Sequence, residues 1–175
     1  MYDIIIIGAG VIGASIAREI AKYELKTLVL EKNSDVGDET SSANSAIVHS
    51  GYDPHPGTLK AELNVLGNEM FTKVCEDLDV EFKRIGSLTV ATNLEEADTL
   101  TKLYQNGLEN GLENGRDIEM VCQSKLREME PFITKKAIKA LYAKNAGIIN
   151  PFELVVALME NAIDAGATII TVEIK

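Results

Sequence analysis

Four consecutive isoleucines, Ile4 to Ile7, run directly into Gly8-Ala9-Gly10-Val11-Ile12-Gly13, and this junction narrows the possible folds most. A continuous β-branched run predicts a strand buried on both faces of a parallel sheet. Ala14 to Tyr23 then reads as a helix with Ile12, Ile16, Ala17 and Ile20 on one apolar face. Lys26 to Glu31 reads as a second strand, so the opening is a βαβ unit whose crossover is right-handed. In such a unit Gly8 permits the tight turn, Gly10 lets backbone approach a pyrophosphate, and Gly13 lets helix and strand pack closely. Glu31 closes the second strand 18 residues past Gly13, where a carboxylate accepts hydrogen bonds from a ribose hydroxyl and repels a 2′-phosphate. The motif predicts a dinucleotide site but does not separate NAD from FAD. A turn kept for structure alone is the third alternative.

Composition excludes other classes. The 175 residues carry a formal net charge of −10, which argues against nucleic acid and against anionic membrane surfaces as partners. An anionic cofactor is still compatible with that charge, because helix N–H groups and the helix dipole attract phosphate without basic side chains. Cys75 and Cys122 form no C-x-x-C pair, so neither a zinc ribbon nor a disulfide scaffold is expected. No Ser-His-Asp set or metal cluster follows from the spacing. The apolar stretch Ile4 to Ala17 is shorter than the ~20 residues of a membrane helix. Asp3 stands where a secretory leader carries a basic residue, and a cytoplasmic protein is expected.

Beyond Glu31 the chain is a long polar loop to Pro56, a length that is usually functional. Thr58 to Asp79 predicts a helix whose stripe of Leu59, Leu63, Leu66, Met70, Val74 and Leu78 packs into a core with Cys75. Phe82 to Thr92 reads as strand and Leu94 to Leu108 as helix. The tandem Gly107-Leu108-Glu109-Asn110 and Gly111-Leu112-Glu113-Asn114 then reads as a fraying helix end and a tolerant surface loop. Ile118 to Val121 and Ile138 to Tyr142 are expected strands, with a short helix from Ser124 to Met129 and Cys122 near the core. Asn150, Pro151 and Glu153 form a capping start for a helix that buries Phe152, Val155, Leu158, Met159, Ala162 and Ile163. Thr168 to Ile174 is expected to return to the opening sheet as its third strand. A sheet of this kind has further strands, so the chain reads as a fragment.

Glu31-Lys32, Thr40-Ser41-Ser42-Ala43-Asn44-Ser45-Ala46-Ile47-Val48-His49-Ser50-Gly51-Tyr52-Asp53 and Pro56-Gly57-Thr58-Leu59-Lys60-Ala61 together resemble the D-amino-acid-oxidase-type flavoprotein superfamily. Within it the chain is most similar to the FAD-dependent glycerol-3-phosphate dehydrogenase group and its L-2-hydroxyglutarate-oxidase relatives. The likeness extends through Phe82-Lys83-Arg84-Ile85-Gly86-Ser87-Leu88 and Ala146-Gly147-Ile148-Ile149-Asn150-Pro151. It implies an α/β fold, a Rossmann-like FAD-binding βαβ sheet with an inserted α+β substrate-cap segment, truncated here. The expected division is 1–81 and 146–175 for the FAD-binding domain and 82–145 for the cap.

The resemblance also implies roles. Gly8, Gly10, Val11, Ile12 and Gly13 would hold the FAD pyrophosphate, and Glu31 with Lys32 would lie at the adenosine ribose. Thr40, Ser41, Asn44, Ser45 and Ala46 would line the diphosphate and isoalloxazine side. His49 would lie near the flavin ring and face the substrate cavity, where an imidazole can take a hydroxyl proton as hydride leaves the adjacent carbon. A structural hydrogen-bonding role for His49 is the alternative. The implied reaction is oxidation of a small hydroxy-substrate, glycerol 3-phosphate first, with an L-2-hydroxy acid or an amino acid as the competing substrate.

Overall fold

The computed structural model describes residues 1–172. They divide into two compact units. The first comprises Met1–Ala46, Lys73–Phe82 and the chain from Ile149 on, and the second Ile47–Thr72 and Lys83–Ile148.

In the first unit β1 (Ile4–Ile7), β2 (Thr27–Glu31) and β9 (Thr168–Thr171) form a parallel sheet in the order β1-β2-β9. The register sets Ile6 beside Val29 and Glu31 beside Thr171. The expected return to the opening sheet is therefore present through Thr171, while Glu173 and Ile174 lie outside the described residues. The helices α1 (Val11–Ile20) and α5 (Pro151–Asp164) pack on each other. Asn150 caps α5, its side-chain oxygen accepting from the N–H groups of Phe152 and Glu153.

Three expectations about buried faces are corrected here. In α1 the buried residues are Gly13, Ala14 and Ala17, while Ile12 and Ile16 are exposed. Small side chains occupy the buried face because a helix backbone approaches its neighbours closely only over such residues. In α5 Leu154 joins Val155, Leu158, Met159 and Ala162 in the interior, and Phe152 and Ile163 are exposed. In β1 only Ile6 is buried; Ile5 and Ile7 are exposed. Alternation puts neighbouring side chains on opposite faces of a sheet, and among the described residues only one face of β1 is covered.

The second unit is built on an antiparallel sheet of β5 (Ser87–Ala91), β7 (Lys139–Ala143) and β6 (Ile118–Cys122), in that order. The helix α3 (Leu94–Glu109) packs on this sheet, and Leu100, Leu112, Ile118 and Leu141 form the core between them. The short helix α4 (Gln123–Met129) follows β6 directly. Two-residue β3 (Ile47–Val48) pairs antiparallel with β8 (Gly147–Ile149), Ile47 opposite Ile148 and Val48 opposite Gly147. The expected strand from Phe82 to Thr92 is interrupted. Its first part is β4 (Phe82–Lys83), and Gly86 turns the chain at φ +74° before β5.

The long helix α2 (Leu59–Asp77) forms as expected but presents a different face. Ala61, Asn68 and Cys75 are buried, whereas Leu59, Leu63, Leu66 and Met70 are 46–67% exposed. At about 100° per residue the leucine stripe lies roughly half a turn away from the buried one. The apolar count therefore misjudged the face. Cys122, expected near the core, is exposed at the end of β6. The tandem repeat is likewise not a tolerant loop in its first copy. The helix holds to Glu109, Gly107 and Leu112 are buried, and a Cβ on Gly107 would come within 2.6 Å of Ile118 Cδ1.

Candidate functional site

The turn from β1 into α1 opens a cavity of about 430 Å³ in the first unit, lined among others by Gly8, Gly10, Glu31, Lys32, Thr40 and Ser41. Gly8 adopts φ +98°, a conformation natural only to glycine, and it carries the chain sharply off the strand. Gly13 sits against that turn so closely that a Cβ would lie 1.9 Å from the Gly8 carbonyl oxygen. Gly10 precedes α1 without a side-chain cap of its own, so the first helical N–H groups have no partner within the helix. One of them, on Val11, donates to Ser41 Oγ at 2.9 Å.

Glu31 stands directly against the glycine turn, only 6% exposed. Its Oε2 accepts the Ala9 N–H at 2.7 Å and its Oε1 the Asn33 N–H at 2.8 Å. Burial pushes the carboxyl pKa up, but the N–H groups of Asn33, Ala9 and Lys32 outweigh it and hold the pKa below the usual glutamate value. Lys32 pairs with Glu39, and that hydrogen bond raises the lysine pKa.

The loop Lys32 to Ala46 is ordered by its own polar groups. Gly37 N–H donates to Ala9 O at 3.1 Å. Asn44 donates to Ser41 O at 2.7 Å and accepts the Ala46 N–H at 2.8 Å, with Ala46 at φ +59°. Asn44, Ser45 and Ala46 thus shape the loop end, and Val11, Ile12 and Gly13 form the helix start rather than the cavity lining.

A dinucleotide fits the features seen here. The glycine turn leaves room that a Cβ would fill, the helix start has no cap from Gly10, and an ionised carboxylate is held beside the turn. The cavity falls in the usual range for small-molecule sites.

His49 lies in the second unit, directly after β3, with an exposed side chain. Its carbonyl accepts from Asn68 Nδ2 at 2.9 Å. The next residue, Ser50, is 1% exposed, and Gly51 at φ +107° lies so near α2 that a Cβ would be 2.5 Å from Val65 Cγ2. Asn110 donates to the carbonyls of Gly51 and Pro54, each at 2.9 Å. Sequence reading did not single out Asn68 or Asn110, because one sits in an apolar-looking helix and the other in a repeat. A polar residue two positions after Leu66, inside that helix, was the available signal.

Sheet order, glycine turn and acidic strand end define a dinucleotide-binding protein. The family model for FAD dependent oxidoreductases (DAO) matches residues 3–174, and the chain belongs to that family. The NAD alternative for the glycine motif is thereby set aside. The chain is 50% identical over 169 residues to the glycerol 3-phosphate dehydrogenase of Caloramator mitchellensis, covering 97% of this chain and 35% of that protein. It is 35% identical over 162 residues to the mitochondrial L-2-hydroxyglutarate dehydrogenase of Arabidopsis thaliana, covering 93% of this chain and 32% of that one. Among solved structures it matches the L-alpha-glycerophosphate oxidase of Mycoplasma pneumoniae with FAD bound. There the TM-score is 0.91 at 31% identity, over 97% of this chain and 44% of that one. The chain thus spans well under half the length of these relatives. Among the described residues no helix is long and apolar enough to cross a membrane, and no group of three or more His, Cys, Asp or Glu could hold a metal ion.

Proposed function

We propose that this chain is the N-terminal portion of an FAD-dependent oxidoreductase that converts sn-glycerol 3-phosphate to dihydroxyacetone phosphate. The observation that carries the reading is the cavity at the start of α1, lined by Gly8, Gly10 and the ionised Glu31 that is bonded to the turn between them. The 50% identity to a glycerol 3-phosphate dehydrogenase supports the substrate.

Gly8, Gly10 and the α1 start formed by Val11, Ile12 and Gly13 would hold the pyrophosphate. Glu31 and Lys32 would hold the adenosine ribose, and Thr40, Ser41, Asn44, Ser45 and Ala46 would line the path toward the isoalloxazine. FAD, when bound, supplies the acceptor for the hydride from the carbinol carbon. His49 would take the hydroxyl proton at its imidazole, so that one C–H bond and one O–H bond are exchanged for the new C=O bond. Residues 82–145 would form the substrate cap, and 1–81 with 146–175 the cofactor domain. The protein would work in the cytoplasm on a small molecule and pass electrons to a separate acceptor.

The second reading, oxidation of an L-2-hydroxy acid, is favoured by the similarity to L-2-hydroxyglutarate dehydrogenases. Anaerobic mixing of the full-length FAD-loaded protein with each substrate separates the two. Glycerol 3-phosphate is expected to bleach the flavin band; bleaching by L-2-hydroxyglutarate alone selects the second reading, and bleaching by neither overturns both.

A further inference from the structure

We propose that Asn68 and Asn110 are positioning residues for His49, a pair of amide clamps that fix the backbone of the turn carrying it. The inference rests on His49 acting as the base in the oxidation proposed above. All the groups involved belong to the second unit.

Asn68 is a polar residue only 4% exposed, and every part of its amide is engaged. Its Nδ2 donates to His49 O at 2.9 Å and to Asn145 O at 3.0 Å. Its Oδ1 accepts from Arg84 Nη1 at 2.9 Å. A guanidinium has donors only, so Arg84 fixes which end of the amide is oxygen and aims the two N–H groups at the carbonyls. Arg84 is itself held by the Asn68 carbonyl at 2.7 Å and by Thr72 Oγ1 at 3.0 Å. Two residues beyond His49, Asn110 performs the same operation on the carbonyls of Gly51 and Pro54. Before His49, the β3 ladder fixes Val48 opposite Gly147.

The turn is therefore pinned before, at and after His49, while His49 itself remains exposed. Space-filling alone would be met by an apolar side chain in place of Asn68, but that side chain would supply no donor to the His49 and Asn145 carbonyls. What the two amides add is a fixed backbone under one proton-transferring side chain, and a misplacement of about 1 Å at such a group costs on the order of a hundredfold in rate.

The test uses the full-length FAD-loaded protein. Asn68→Asp keeps an oxygen for Arg84 but sets an acceptor against the His49 and Asn145 carbonyls. Asn110→Ala is the milder variant should the first fail to fold. Hydrogen exchange at the amides of residues 49–52 is expected to quicken roughly tenfold or more in each variant. Anaerobic flavin reduction per bound flavin, with whichever of sn-glycerol 3-phosphate and L-2-hydroxyglutarate bleaches it, is expected to slow by about ten- to a hundredfold. Combined with His49→Asn, neither change is expected to slow reduction further, because both act through the imidazole. Unchanged exchange, or slowing that multiplies with that of His49→Asn, overturns the proposal. A His49→Asn protein as fast as the wild type overturns the base assignment and this inference together; a slow His49→Asn beside an unaffected Asn110→Ala overturns this inference alone.

Discussion

Gly13→Ala puts the contact between helix start and glycine turn to a quantitative test. The added methyl would lie 1.9 Å from the Gly8 carbonyl oxygen and 3.0 Å from its carbonyl carbon. Ordinary van der Waals contact begins near 3.4 Å, so helix and turn must separate by about 1.5 Å. The obstacle is backbone and has no rotamer to escape into. Nor can α1 retreat freely, since Ala14 and Ala17 are fully buried on the same helix. Overpacking of a well-filled interior costs about 1–3 kcal/mol, and a backbone clash belongs at the upper end. A loss of roughly 3 kcal/mol in a urea titration is expected, and FAD affinity is expected to fall about a hundredfold as the pyrophosphate seat is displaced. Gly67→Ala is the control. It lies inside α2, a Cβ there meets nothing within 4 Å, and it is expected to stabilise by about 0.5–1 kcal/mol. Gly13→Ala within about 1 kcal/mol of wild type and unchanged in FAD affinity would refute the packing argument.

Two further outcomes follow from groups whose protonation the fold controls. Because the folded Glu31 carboxyl titrates below its usual value, its stabilisation is present above about pH 4.5 and is lost as pH falls through the lower folded pKa. Glu31→Gln sets an NH2 against the Ala9 or Asn33 N–H, so a loss of about 2 kcal/mol at pH 7 that shrinks in acid should appear in denaturant titrations at several pH values. The exposed Cys122 thiol is held below the usual cysteine pKa, mainly by its hydrogen bond with Ser124, while Cys75 is buried. Timed alkylation with mass readout is therefore expected to label Cys122 in the folded protein and Cys75 only after denaturation; the reverse order would contradict the burial of Cys75.

What could be read from the chain was whatever local chemistry decides. The isoleucine run, the glycine turn and Glu31 specify the βαβ unit and one wall of the cavity through neighbours in sequence, and Asn150-Pro151 specifies a helix start in the same way. Faces were harder. Counting apolar residues placed the leucines of α2 and the isoleucines of α1 inside, yet tertiary packing chose Ala61, Asn68, Ala14 and Ala17. The clamp on His49 was invisible for a related reason. Asn68 and Asn110 act on carbonyls 19 and 59 residues away, and only the folded backbone brings donor and acceptor together.

The central claim is that the cavity beside Gly8 and Glu31 holds FAD, and the visible absorbance of the purified full-length protein after gel filtration tests it most directly. Flavin bands that co-elute with the protein, and that weaken in Gly13→Ala, are the predicted result. A colourless protein that retains no added FAD would contradict the account.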